Sequence, residues 1–393
     1  MSAEVSSPER NYKVIASVGT LLALIGLIAV GALYGTAGAK NVMASYVFGY
    51  SAALSMVLGC FGLTLLQGVT RSYWGSTILR IVEAGGSVGA FILMAVLYIP
   101  IWIGREHVYG GWIHRDWPLN ENTWFKTFWL TENNFILRIA GYFAIWIALA
   151  YFMRTWAAKE DETGDVKWKN LRGNVAAPGL VIYVLSVTLA ATDMFMSIDA
   201  HWFSSMFGPW YMIGGVLFAL STAVLITATN AKYAPIKQVY TEQNAKDLGN
   251  LMFAFVMIWI YFTLSQYIII WSGNLPEFIS YYKNRQAGIL PIVGFFNIAL
   301  GWFAPWVALI PPRNKTNPKV LVSICVVLIA MRFVDMAWNM IPLFRPTFAL
   351  SDLAAVLLMM GAWMAVFGYQ LMKNRTMPVH DARIREALQH SHA

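Results

Sequence analysis

Apolar stretches long enough to span a hydrocarbon core recur ten times along the chain, separated by short polar breaks. About 20 helical residues cross a bilayer. On that measure the spans fall near residues 14–35, 42–67, 78–104, 135–157, 180–198, 210–230, 248–273, 287–310, 318–344 and 350–373. The pattern predicts an all-α integral membrane protein, one polytopic domain over residues 1–393 with polar tails at 1–13 and 374–393. The first run is followed by Ala37-Gly38-Ala39, which resembles a signal-peptidase site, yet its 22 apolar residues exceed the roughly 7–15 of a signal-peptide core. It reads as a helix.

Composition points the same way, with 58% hydrophobic and 12% charged residues against about a quarter charged in soluble domains. A formal charge of +8 could indicate nucleic acid, but the basic residues lie in short loops and form no patch. They read as topology signals, since basic residues resist translocation. With the N-terminus inside, nineteen Lys and Arg fall on inner segments, Arg154, Lys159 and Arg172 among them, and seven on outer ones such as Arg105, Lys283 and Arg285. Both termini are therefore expected in the cytoplasm.

The two longest connections are about 30 residues (105–134, outer) and about 22 (158–179, inner), too short for a separate soluble domain. The outer one carries Trp112, Trp117, Trp124 and Trp129, suited to anchoring at the headgroups or to a partner surface. A faint repeat is visible. Asp193-Met194 in the fifth span and Asp335-Met336 in the ninth lie toward corresponding ends, which fits two parallel four-helix bundles, helices 2–5 and 6–9, flanked by helices 1 and 10.

An ionisable residue inside a bilayer costs about 2.5–3.5 kcal/mol on insertion scales and calls for a function or a partner. Glu83, Arg138, Asp193, Arg332 and Asp335 stand out. Ser186, Asp193 and Ser197 fall on one helical face, and Arg332, Asp335 and Asn339 make a second polar stripe, which is expected to face the first or share a cavity with it. The alternative is an ion pair, Arg332 with Asp335 or with Asp193 across the bundle. Asp193 has no cation within a turn of its own helix, and a desolvated lone carboxylate is the kind of group that exchanges protons. By helical rise Asp193 and Asp335 lie roughly 20 and 24 Å above the inner ends of their helices and Glu83 about 8 Å, leaving some 12 Å for water or hydroxyls to bridge. Glu83 could equally snorkel to the inner surface.

His107, His114, His201, His380, His390 and His392 all fall in loops or tails, so no span offers an axial haem ligand. Cys60 and Cys325 have no second ligand at metal spacing. Phosphate-loop, zinc-helix and nucleophile-elbow motifs are absent from the sequence. No catalytic or metal-binding residue is expected.

Three segments carry a resemblance: Asp193-Met-Phe-Met-Ser-Ile-Asp-Ala-His-Trp-Phe-Ser-Ser-Met-Phe-Gly208, Leu275-Pro-Glu-Phe-Ile-Ser-Tyr-Tyr-Lys-Asn-Arg285 and Arg332-Phe-Val-Asp-Met-Ala-Trp338. Together they resemble the NrfD or polysulfide-reductase membrane-subunit family, and within it the ActF-type subunits of bacterial alternative complex III, over nearly the whole chain. The resemblance implies a bacterial inner-membrane complex that oxidises menaquinol or another quinol. Electrons would pass through iron-sulfur clusters and haem c in partner subunits to a periplasmic acceptor or oxidase. The implied partners are a paralogous ActC-type membrane subunit that holds the quinol pocket, an iron-sulfur protein, multihaem and monohaem cytochrome c subunits, small membrane subunits and lipids. For this chain it implies structural support or proton conduction without a redox cofactor, with Asp193, Asp199, His201, Arg332 and Asp335 at the motif positions. His201, on the expected outer side, would exchange protons there, as imidazole titrates nearest neutrality; otherwise Asp199 and His201 are a solvated or capping loop pair. Glu83, Ser186 and Ser197 complete the expected proton path.

Two other readings compete. Pro291 and Pro305 in the eighth span fit the broken helices of a secondary transporter. The chain could also bind quinol itself near Asp193 and His201, between Trp202 and Trp210.

Overall fold

The computed structural model describes residues 8–114, 124–233 and 236–375, together with positions 377, 378 and 384. Among these, ten helices are long and apolar enough to cross a membrane: α1 (Glu9–Ala37), α2 (Ala39–Thr70), α3 (Leu79–Ile103), α4 (Glu132–Thr163), α5 (Val166–Ile198), α6 (Phe207–Asn230), α7 (Glu242–Gly273), α8 (Leu290–Leu309), α9 (Pro318–Leu343) and α10 (Leu350–Lys373). Every regular element among the described residues is helical, and the chain is an all-α integral membrane protein.

The largest departure from the hydropathy pattern is the connection expected on the inner side. Residues 158–179 read as a loop because they are charged, but α4 and α5 run through them and leave only Gly164 and Asp165 between the helices. Gly164 takes φ 68°, the left-handed conformation that ends a helix at little cost to glycine, and the Asp165 carboxylate accepts the Lys167 N–H at 2.9 Å to begin the next. Hydropathy marks where lipid stops, not where a helix stops. Residues 105–134 likewise hold two short helices, Arg105–Ile113 and Trp124–Trp129. Trp112, expected as an interfacial anchor, is buried against Tyr109 and Phe135 instead; Trp117 lies outside the described residues.

α2 packs on α3 and α5, and α4 closes the ring between them; α6, α7, α8 and α9 close a second ring in the same order. α2 and α6 join the rings, while α1 and α10 pair with each other and lean on α2. The joint between rings is backbone on backbone. A Cβ added to Gly59 would lie 2.0 Å from the Gly215 carbonyl oxygen, and one added to Gly215 would lie 2.5 Å from that of Ser55. Small residues let membrane helices approach this closely, where packing has to replace the hydrophobic effect.

α1 begins and α10 stops at one end of the protein, here the near end, and the α5–α6 connection lies at the far end. Two spans are irregular. α3 breaks at Gly86, after which the Ser87 side chain accepts the Ala90 N–H at 3.3 Å and restarts the helix. In α8, Pro305 has no N–H to give the preceding turn, and the helix passes through a π turn at Ala299–Phe303.

Candidate functional site

The ionisable residues of the spans gather into three buried clusters. At the near end of the first bundle, Glu83 on α3 accepts Arg80 and Arg172, each at 2.5 Å, with Arg154 at 3.5 Å. Arg80 also pairs with Asp161 at 2.6 Å and Arg172 with Glu160 at 2.8 Å. Three guanidiniums thus meet three carboxylates and tie α3, α4 and α5 together. Glu83 does not snorkel; it is 6% exposed, because partners from two other helices satisfy its charge in place.

At the far end of the same bundle, Asp193 is fully occupied. Arg138 on α4 grips both its oxygens (Nε to Oδ2 2.8 Å, Nη2 to Oδ1 3.1 Å), and the Trp129 indole and Tyr142 hydroxyl donate at 2.7 and 2.8 Å. The guanidinium also stacks 4.1 Å from the Trp129 ring. The expectation of a lone carboxylate is thereby corrected: the cation comes from the neighbouring helix, 55 residues earlier, where spacing along one helix does not reveal it. Asp193 does not pair with Arg332 either. Ser197 caps the Asp193 carbonyl at 2.5 Å without contributing to the carboxylate. Ser186 accepts the Trp146 indole at 2.9 Å and donates to the Tyr183 carbonyl at 3.1 Å. Its hydrogen-bond partners are an indole and a backbone carbonyl, and it bonds directly to neither Asp193 nor Glu83.

The second bundle is built differently. Arg332 pairs with Asp335 on the same helix at 2.5 Å and donates to the Tyr211 carbonyl at 3.3 Å. Gly214 makes room for it: a Cβ there would sit 2.2 Å from the guanidinium. The other Asp335 oxygen accepts Asn297 of α8 at 3.0 Å and Asn339 at 3.1 Å. Asn339 in turn accepts the Tyr281 hydroxyl at 2.5 Å, and Tyr281 stacks on Trp202 with ring centroids 4.1 Å apart. Arg285 closes the end of this column by donating to the carbonyls of Tyr281, Trp338 and Asn339, and so caps the C-terminal turn of α9. Burial pulls the Arg285 guanidinium below its ordinary range, while Tyr281, Tyr282 and Asp199 pull it back. All three motif segments therefore meet in one column, from Trp202 through Tyr281 and Asn339 to Asp335. Asp199 and His201 sit at its far-end margin: Asp199 accepts the His201 N–H at 3.2 Å in a local turn, and the His201 side chain is exposed.

The two polar stripes thus head separate clusters and do not face one another, because each carboxylate takes its partners from its own ring. From sequence, Arg138 is noted but not its role, Arg172 and Arg285 count as topology signals, Tyr281 lies in a motif segment without being singled out, and Asn297, Glu160 and Asp161 are passed over. Asn297 was the findable one, an amide within an apolar span with no local reason to be there.

Next to Asp335 lie two cavities. One of about 20 Å³, room for a water, is bounded by Arg332, Asp335, Asn297 and Gly214. The other, about 600 Å³, opens between α7 and α8. Its walls include Trp210, Tyr282, Trp302 and Trp338, and Asn297, Asp335 and Asn339 form its polar floor. Trp210 is shared with the quinol site expected from sequence, but the floor is Asp335 and not Asp193. Among the described residues, no group of three or more His, Cys, Asp or Glu is placed to hold a metal ion. Compared with models of known protein families and with curated protein sequences, the chain matches none.

Proposed function

We propose that this chain is a membrane subunit of a quinol-oxidising electron-transfer complex in a bacterial inner membrane, with both termini cytoplasmic. In this reading the redox groups, iron-sulfur clusters and haem c, belong to partner subunits, an ActC-type paralogue among the membrane ones. The first bundle is architectural and the second handles protons at Asp335.

The observation that carries the reading is the convergence of the three motif segments, 124 residues apart at their closest ends in the case of Gly208 and Arg332, on one buried polar column. The division of labour follows from bonding. Both carboxylates carry a guanidinium and neutral donors, but Arg138 grips both oxygens of Asp193, whereas Arg332 holds Asp335 by one and a water-sized cavity adjoins it. A carboxylate beside water can exchange a proton; one locked in a bidentate ion pair has to break that pair first.

Affinity purification of the tagged chain should bring down c-type haem and iron-sulfur partners, and a chain recovered alone and stable would overturn the assignment. Within the complex, Asp335→Asn should lower proton release per quinol oxidised; unchanged release would remove Asp335 from the path. The broken α3 and π-turned α8 favour a second reading, a secondary transporter. That reading requires uptake by the chain alone in liposomes.

A further inference from the structure

The 600 Å³ cavity between α7 and α8 is lined largely by apolar and aromatic side chains, yet it contains polar atoms with no partner. The Asn297 Oδ1 and Gln266 Oε1 acceptors and the Trp302 Nε1–H donor are buried and unsatisfied. Asn297 and Gln266 are 4% and 7% exposed. The Asn297 amide cannot simply be turned around, because its nitrogen has to face the Asp335 carboxylate, so its oxygen remains the unpaired atom of a side chain that lines the cavity. A buried acceptor without a donor costs about 1–3 kcal/mol, and three unpaired groups around one hollow mark a place where a ligand completes the bonding.

We propose that this cavity binds a neutral, hydroxyl-headed membrane amphiphile. Its hydroxyls donate to Asn297 and Gln266 and one oxygen accepts from Trp302, while its apolar body runs out past Tyr261 and Leu264, which are 63% and 51% exposed on the outer face of α7. Charge decides against a phosphate head. The nearest guanidinium, Arg332, is spent on Asp335 and the Tyr211 carbonyl, and Arg285 on three backbone carbonyls. Unpaired oxygens ask for donors, which a hydroxyl has and a phosphate diester lacks. The volume lies within the roughly 300–1,000 Å³ of small-molecule sites. The site stands on these contacts alone and does not depend on the proton-handling role of Asp335.

A hydroquinone and a monoacylglycerol both present such a head. The test is photolabelling of the full chain in its native membranes with two diazirine probes, a decyl-substituted hydroquinone kept anaerobic and a mono-octanoylglycerol, followed by peptide mapping. At least one probe should label α7 and α8 peptides and be displaced by its unlabelled parent. The corresponding dimethyl ether, which cannot donate, should compete at least tenfold less well. Which probe labels identifies the source of the ligand. Ile298→Trp, which fills the cavity, should abolish labelling, and Gln266→Leu, which removes one acceptor, should weaken it about tenfold; both should retain wild-type abundance in the membrane. Labelling by neither probe, equal competition by the ether, or full labelling of a well-expressed Ile298→Trp chain would overturn the proposal.

Discussion

The two four-helix rings close in the same helix order but differ in how they keep charge inside a membrane. The first is sealed at both ends by ion-pair clusters that bridge helices: Glu83 with three arginines at the near end, Asp193 with Arg138 at the far end. In the second, the one buried ion pair among the described residues lies within a single helix, Arg332 with Asp335, and its further partners include neutral amides and a tyrosine. Among the described residues, the buried charge at its near end is Lys315, bonded to Asn250 at 2.7 Å, where the first ring has six charges. Bridging pairs fix helices relative to one another, whereas a pair within one helix leaves its neighbours free to part. The cavity lies in the second ring, on that physical ground.

The sharpest way to break the comparison is Glu83→Gln. It leaves Arg80, Arg154 and Arg172 facing two carboxylates in a buried site, and breaking a buried pair costs about 3–5 kcal/mol. The chain should largely disappear from the membrane fraction on immunoblots, and near-normal abundance would mean that the first ring does not rest on this cluster. Asp193→Asn should be nearly as damaging, also by about 3–5 kcal/mol, because it strands Arg138. Adding Arg138→Gln should restore part of the lost thermal stability, while adding Arg332→Gln should not. Rescue by the Arg332 change would put the pairing back across the rings. In the second ring, Arg285→Lys keeps the charge but loses the fork that reaches three carbonyls, and should cost about 1.5–3 kcal/mol in thermal melts of the purified protein. Smallest of all, the Arg105 to Glu132 pair is a third or more exposed; Arg105→Ala should cost about 0.2–1 kcal/mol and the difference should shrink in high salt.

Legibility followed the range of the interaction. Span positions were readable because lipid imposes its length on each helix separately, and the ends of α9 and α10 fall within a residue of where hydropathy puts them. Buried charges were readable one by one, since each is an anomaly in an apolar run. Their partners were not. Arg332 with Asp335, three residues apart, follows from helical geometry, but Arg138 with Asp193 and Arg172 with Glu83 join residues 55 and 89 apart, and no spacing rule reaches that far. The charged connection between α4 and α5 misled for a related reason: Glu160, Asp161 and Arg172 look like a solvated loop until α3 supplies the charges that bury them.

The two-residue turn at Gly164-Asp165 bears on how the protein is made. A translocating channel that meets α4 alone meets Arg138 without its carboxylate, a charge that would cost about 2.5–3.5 kcal/mol to leave in lipid. Because almost nothing separates α4 from α5, Asp193 follows directly on the next helix, and the two can enter the bilayer as one hairpin with the charge already neutralised. Lengthening that turn with a flexible insert should therefore harm biogenesis before it harms the finished protein. The tightness of the turn acts as timing as well as geometry.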